Sequence, residues 1–367
     1  MKTRNKILGG ILLTFAIALS SLAVALSHTS ACGPATEASS QPELMSAIVY
    51  RCYGSPEVLE FAEIEKPVPA DDELLVKIHA ASVNPLDWHT MRGSPYLVRL
   101  MSGLGAPDNS SMGVDFSGTV ESVGSKVTRF KAGDAVFGGG NGAFADYVTI
   151  AEHRAVALKP DNISFEQAAA VPIAAITALQ ALRDKGRLKP GQKVLINGAS
   201  GGVGTFAVQI AKSMGAEVTG VCSTRNIEMV RSIGADHVFD YTREDYTTSG
   251  QHYDLIIDNV GNHSLLANRR VMTAEGTLVL VGGAKGNWLG PLVGPIQAML
   301  LTPLVGQEFG MIMARLSQED LTILAGLMQT GEVTPVIDRR YALSEVAAAI
   351  RYSEEGHARG KIIITVE

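Results

Sequence analysis

The chain has 367 residues, 46% of them hydrophobic and 19% charged, with a formal net charge of -6. That length leaves room for two domains with their own cores, and no basic run interleaved with aromatics is present, which argues against nucleic acid as a partner. Three cysteines, Cys32, Cys52 and Cys222, without a close pair in sequence, argue against a disulfide framework and a cysteine-rich zinc site.

The N-terminus comes first. Lys2, Arg4 and Lys6 precede an uncharged run from Ile7 to Leu26. A run of this length exceeds the core of a signal peptide, about 7–15 residues, and suffices to span a bilayer. Membrane association through residues 7–26 is therefore expected, with the side of the membrane open. Thr29-Ser30-Ala31 before Cys32-Gly33 resembles a bacterial lipoprotein box, although Thr29 stands where leucine is usual, so an anchor and an exported lipoprotein at Cys32 are both open. Residues 27–44 are rich in Ser, Ala, Thr and Pro and read as a flexible tether.

From Met45 onward short β-branched runs dominate: "SAIVYRCYG", "ELLVKIHAASVN", "DFSGTVESVG" and "DAVFG", separated by Gly, Pro and Asp. From about Val171 the pattern changes to apolar strands alternating with helical segments, which predicts a parallel sheet covered on both faces. "KVLIN" precedes a helix at Gly202–Met214, and "AEVTGVCS" precedes one around Ile227–Ile233. "YDLIIDNV" and "GTLVLVGG" continue the sheet. Residues 288–306, "WLGPLVGPIQAMLLTPLVG", carry no charge, but Pro291, Pro295 and Pro303 argue against a continuous spanning helix. A buried core segment or an oligomer contact, as in a homodimer, is expected there in preference to membrane contact.

The stretch "VLINGASGGVG" follows a strand and opens a helix. A dinucleotide site needs that context: a tight turn, close backbone approach to the pyrophosphate, and free N–H groups at a helix N-terminus. Ala199 takes the first glycine position of the usual fingerprint, while Gly201 and Gly204 keep their spacing, with Gly198 and Gly202 beside them. The next strand ends in Ser223, Thr224 and Arg225 and lacks the carboxylate that NAD sites use on the ribose. An arginine and two hydroxyls suit a 2′-phosphate, so NADPH is the expected cofactor.

Together "GASGGVGTFAVQIAKSMGAEV", "SVNPLDWHTMRG", "GVDFSGTVESVG", "FKAGDAVFG", "GAFADYV" and "GHARGKIIITV" resemble the medium-chain dehydrogenase/reductase superfamily. Within it, the chain is most similar to the zinc-independent, zeta-crystallin-like quinone oxidoreductases, from about Met45 to Glu367. The resemblance implies an α/β protein: a GroES-like β-rich catalytic domain (45–170), a Rossmann-type doubly wound parallel-sheet domain (171–306), and a C-terminal return (307–367), preceded by the hydrophobic leader and tether (1–44). It also implies site residues. Asn84 and Thr177 should approach the nicotinamide, and Ser200, Gly201, Gly202 and Val203 the pyrophosphate. Arg225 and Tyr241 should meet the 2′-phosphate; Asn259, Val281, Gly282 and Gly283 should meet the nicotinamide half, and Lys361 should lie near the cofactor. Tyr96 matches a tyrosine lining the substrate pocket, and Trp88 replaces another.

Zinc-dependent relatives carry Cys near the position of Asn84 and a His-Glu pair at Val114-Asp115. A catalytic zinc needs three protein ligands of N, S or O type; Asp87, His89 and Asp115 are available, but the thiolate and second histidine are not. No metal is expected. Without a Lewis acid, hydride is best delivered to an acceptor that is already electron-poor, a quinone or an α,β-unsaturated carbonyl. Two other readings stay open: a non-catalytic protein that holds NADPH or a partner, and an enzyme of the alcohol dehydrogenase type.

Overall fold

The computed structural model describes residues 18, 20–33, 43–283, 286–288 and 290–366. In chain order its strands are β1 (Leu44–Val49), β2 (Glu60–Glu65), β3 (Glu73–Val83), β4 (Asp115–Val123), β5 (Ala135–Gly139), β6 (Tyr147–Ala151) and β7 (Val156–Leu158). The second group is β8 (Lys193–Asn197), β9 (Glu217–Cys222), β10 (His237–Asp240), β11 (Tyr253–Asp258), β12 (Met272–Leu280) and β13 (Glu308–Met311). Two more close the chain, β14 (Ile337–Ala342) and β15 (Lys361–Thr365).

The first group builds a seven-stranded sheet in the order β14-β15-β3-β4-β5-β7, with β6 also paired to β3, while β1 and β2 form a separate antiparallel ribbon. The C-terminal β15 lies antiparallel to β3, with Ile362 opposite Val83, so the end of the chain completes the first sheet. The second group makes a parallel sheet in the order β10-β9-β8-β11-β12-β13. The centre of its strand "KVLIN", Val194–Ile196, is apolar and buried because helices cover both faces. The helices Pro172–Gln180 and Gly202–Ser213 pack together, and Ile176, Phe206, Val194, Ile196 and Leu255 share one core. The order reverses at β8, whose neighbours are β9 on one side and β11 on the other. Ligands of such sheets bind at the carboxyl ends of the strands, at this switch point.

The N-terminal expectation is corrected. Residues 7–17 and 19 of the expected span lie outside the described residues; residues 18 and 20–27 are helical, and no helix among the described residues is long and apolar enough to cross a membrane. The end of the apolar run is tied to the protein. Leu26 is buried, and the carbonyls of Leu26 and His28 accept from the guanidinium of Arg99 at 3.1 and 2.6 Å. A cation at a helix C-terminus complements its dipole, which explains the seat. Ser30 N donates to Gly105 O at 2.8 Å. Cys32, where lipidation is one of the alternatives open above, is instead joined to Cys52 in a disulfide. A separation of 20 residues hid that pairing in the sequence.

The uncharged stretch 288–306 contains the helix Gly290–Leu301 followed by a short 3-10 turn, Thr302–Leu304. Ala298 faces inward, whereas Val293, Ile296, Met299 and Leu300 are exposed. The stretch is therefore only partly core.

Candidate active site

Three strands of the first sheet end at one point. Ser82 on β3 stands opposite Asp115, the first residue of β4, and Lys361 opens the neighbouring β15. Asn84 follows β3 as the N-cap of the helix Pro85–Arg92, where Pro85 suits the first helical position. Four polar side chains thereby meet in a buried cluster. Lys361 Nζ donates to Asn84 Oδ1 at 2.6 Å and lies 3.3 Å from Asp115 Oδ2. Asn84 Nδ2 and Ser82 Oγ donate to the same carboxylate oxygen at 2.9 and 3.0 Å, and Ile173 N donates to its Oδ1 at 3.0 Å. Asp115 is fully buried and Lys361 3% exposed. Burial pushes the Asp115 carboxyl up and the Lys361 ammonium down, and the charge of each opposes the shift of the other.

Asp87 completes the group, accepting from Asn84 N at 2.7 Å. Burial raises its carboxyl to about 7, with Asp115 adding to the rise while the Asn84 amide and Lys361 oppose it. An acid whose folded value is raised favours folding when protonated. That contribution is full below about pH 4 and is lost as pH rises through 7. Wild type should accordingly lose roughly 2–3 kcal/mol of stability between pH 5 and pH 8 through this group alone. Asp87→Asn should flatten that dependence in urea titrations at the two pH values, and an unchanged slope would sink the assignment.

Lys361 links the cluster to the second sheet. A Cβ placed on Gly202 would meet Lys361 Cδ at 3.3 Å, so the N-terminus of the helix Gly202–Ser213 abuts the lysine stem. The turn before that helix is built on close approach: a Cβ on Gly204 would lie 2.1 Å from Gly198 O. Val203 is partly buried behind it. Ser200 Oγ accepts from Asn226 Nδ2 at 3.0 Å, and the same amide reaches Ser223 Oγ at 3.2 Å. Asn226 thus ties the glycine turn to the end of β9. Arg225 is exposed and donates to His357 O at 3.1 Å, and Tyr241, 57% exposed, follows β10 with its N–H on Cys222 O. Thr224 donates to Asp240 Oδ2, and Thr242 to Asp240 Oδ1 through its amide and hydroxyl.

At the switch point Asn197 Nδ2 donates to Asp258 Oδ1 at 2.9 Å, and Asn259 Nδ2 to Asn197 O at 2.9 Å. Val281 and Gly282 both donate backbone N–H groups to Asp258 O, Gly282 lies against the Asn259 carbonyl, and Gly283 is exposed. Thr177, buried in the helix Pro172–Gln180, spends its hydroxyl on Ile173 O at 2.7 Å. Tyr96 belongs to a second cluster with Arg99 and Trp288.

The residues fit a dinucleotide. Asn226 Oδ1, just after β9, and Asn259 Oδ1, just after β11, are buried without a hydrogen-bond partner among the described residues. Gly201 is open on its outer side, where only Gly198 O comes within 4 Å of an added Cβ. Such buried orphans are costly, and a polar ligand would satisfy them. Among the described residues no three His, Cys, Asp or Glu side chains form a group able to hold a metal.

Sequence reasoning singled out Asn84 and Lys361 but missed Asp87 and Ser82 as their partners, and it missed Asn226 and Asp240. One signal was available for Asp115: a lone acid at the start of the otherwise uncharged strand "DFSGTV". Asn226, directly after Arg225, carried no sequence signal that distinguishes it from a helix cap.

The Zinc-binding dehydrogenase family matches residues 233–364, and the Alcohol dehydrogenase GroES-like domain matches residues 70–161. The chloroplast envelope quinone oxidoreductase homolog of Arabidopsis thaliana is 33% identical, covering 88% of this chain and 98% of that protein. The chain belongs to the medium-chain dehydrogenase/reductase superfamily. The mitochondrial NAD(P)H oxidoreductase RTN4IP1 of Mus musculus is 34% identical over 89% of this chain and 91% of its own. The solved quinone oxidoreductase from Coxiella burnetii superposes with a TM-score of 0.79 at 30% identity, covering 89% of this chain and all of that one. The superfamily makes this chain an oxidoreductase with a nicotinamide cofactor. One family description names zinc, whereas here the ammonium of Lys361 sits between Asn84 and Asp115.

Proposed function

We propose that the protein transfers hydride from NADPH to a quinone or an α,β-unsaturated carbonyl without zinc. The observation that carries this reading is the buried Lys361 ammonium between Asn84 and Asp115. Those two residues stand where zinc-dependent relatives hold ligands, and a fixed positive charge there opposes a divalent cation. The bound nicotinamide supplies the hydride, and the acceptor must already be electron-poor. The chain's residues bind and orient: the helix N-terminus at Gly202 faces the pyrophosphate, and Asn84 and Lys361 border the nicotinamide end. Relatives described as quinone oxidoreductases, and the 2-methylene-furan-3-one reductase of Solanum lycopersicum at 32% identity, support the acceptor class.

Preference for NADPH rests on the end of β9. Arg225 is exposed beside Ser223 and Thr224, and both oxygens of the nearby Asp240 are engaged by threonines. Asp240 is also only 5% exposed, which limits its access to ribose hydroxyls. A charge-assisted contact contributes about 1.5–3 kcal/mol, so Arg225→Ala should weaken NADPH about tenfold or more and leave NADH little changed. The direct test is NADPH oxidation with a panel of quinones and enones, using enzyme dialysed against a chelator. Turnover of neither class, or turnover only after zinc is added back, overturns the reading; equal losses for both coenzymes in the arginine variant overturn the NADPH part.

A further inference from the structure

The disulfide Cys32–Cys52 fastens the N-terminal segment to the first domain where several other contacts converge. Cys32 is exposed, Cys52 is 4% exposed, and their Cα atoms lie 4.7 Å apart. The bond ends a strap, residues 20–33, in which Leu26 alone is buried. Its other anchors are the Leu26 and His28 carbonyls, which accept from Arg99, and the Ser30 amide, which donates to Gly105 O. One buried side chain and a few hydrogen bonds are little to set against the freedom such a segment loses on ordering. A cross-link that shortens the free loop removes much of that cost.

The anchors on the first domain all lie in one segment, Gly93–Gly105. Arg99, 3% exposed, donates to four carbonyls: Gly93 and Arg92 nearby, and Leu26 and His28 on the strap. Its guanidinium lies 4.5 Å from the Tyr53 ring and 4.7 Å from that of Tyr96. Tyr53 directly follows Cys52 and donates to Gly103 O at 2.8 Å, so the turn that carries the buried cysteine also grips the segment. On its other side the segment meets the loop after β12. Tyr96 N and Ser94 Oγ donate to Asn287 at 2.8 and 2.7 Å, and Trp288 sets its ring edge against Tyr96. Contacts thus run without a break from the disulfide through Arg99 and Tyr96 to the second domain.

We infer that Cys32–Cys52 is a redox-modification site, a latch whose reduction by a dithiol releases the strap and loosens the segment Gly93–Gly105. One thiolate of the dithiol attacks the sulfur of Cys32, the exposed partner; the S–S bond breaks, and Cys52 leaves as a thiolate and takes a proton. The second thiol of the reductant then displaces Cys32 from the mixed disulfide, so two cysteine thiols form and the reductant ends as a disulfide. Once the strap leaves, Arg99 lacks two of its four carbonyl acceptors, and the guanidinium that fixes Tyr96 is no longer held from outside. Cys222 is buried in the second domain and takes no part. The latch is independent of the acceptor and coenzyme proposed above.

Amide exchange followed by mass spectrometry on the full chain, before and after dithiothreitol, tests the latch. Reduction should speed exchange about tenfold or more in residues 26–31 and severalfold in residues 93–105, with the parallel sheet unchanged. Replacing the reductant with oxidised glutathione should restore protection. Cys32→Ser should exchange like reduced wild type without any reductant and should not respond to it. Trypsin gives an independent readout, since cleavage after the buried Arg99 should be about tenfold faster in Cys32→Ser than in wild type. Unchanged exchange in both segments overturns the inference. So does faster exchange confined to the strap, with residues 93–105 and cleavage after Arg99 unaffected, which makes the bond a fastening for the tail alone. Faster exchange throughout the chain overturns it as well, because the bond is then a general support of the fold. Free thiols at Cys32 and Cys52 in the protein as purified, or no recovery with oxidised glutathione, also refute the latch.

Discussion

Gly201→Val should abolish binding of the nicotinamide dinucleotide and leave the fold nearly intact. Gly201 is the N-cap of the helix Gly202–Ser213 at φ -83° and ψ 179°, an extended conformation that valine adopts without strain. Within the protein its added Cβ would find only Gly198 O, at 3.5 Å. Loss of a favourable N-cap costs about 1 kcal/mol. Toward the crevice, the branched side chain would stand where the phosphates need backbone N–H groups. A loss of affinity of about 100-fold or more is expected, which corresponds to roughly 3 kcal/mol. Gly204→Ala is the contrast. Its Cβ would collide with Gly198 O at 2.1 Å and Ala199 at 2.8 Å, so the turn itself should fail, and melting and binding with it. Titration calorimetry and thermal melts of the two variants separate a ligand contact from a packing requirement. Retained affinity in Gly201→Val would mean that the turn does not cradle the pyrophosphate.

These two glycines also mark where sequence reading succeeds. A strand, a glycine turn and a helix obey backbone rules that are local, so "VLINGASGGVG" announces its geometry without knowledge of the rest of the chain. The apolar strands of the parallel sheet are legible for the same reason. The lysine cluster is not. Asp115 and Lys361 are 246 residues apart, and nothing in "RGKIII" says that the lysine is buried. Only the antiparallel pairing of β15 with β3 brings it beside Asn84. The N-terminal run misleads for a related reason. An apolar stretch ending at Leu26 has the same composition whether its end lies in lipid or against Arg99, and the arginine that decides is 73 residues further on.

Lys361→Met should be the most destabilising single change in the site. The side chain is 3% exposed and its ammonium is the one positive charge within hydrogen-bonding range of Asp115 that the cluster contains. Removing one partner of a buried pair leaves the other charge uncompensated, at about 3–5 kcal/mol. Ser82, Asn84 and the Ile173 amide would still donate to the carboxylate, which moderates the loss without cancelling a charge. Asp115 would then favour its protonated form more strongly, so the deficit should be smaller at pH 5 than at pH 8. The double variant Asp115→Asn/Lys361→Met should recover much of the stability, since neither charge is then buried alone. Urea titrations of wild type, both single variants and the double variant give the coupling energy directly. A single-variant loss below about 1 kcal/mol, or a double variant no better than the single, would refute the pairing as the cluster's main support. Because the lysine stem also touches the helix N-terminus at Gly202, the double variant carries a second measurement. If it folds like wild type but binds dinucleotide more weakly, Lys361 serves the cofactor as well as the fold.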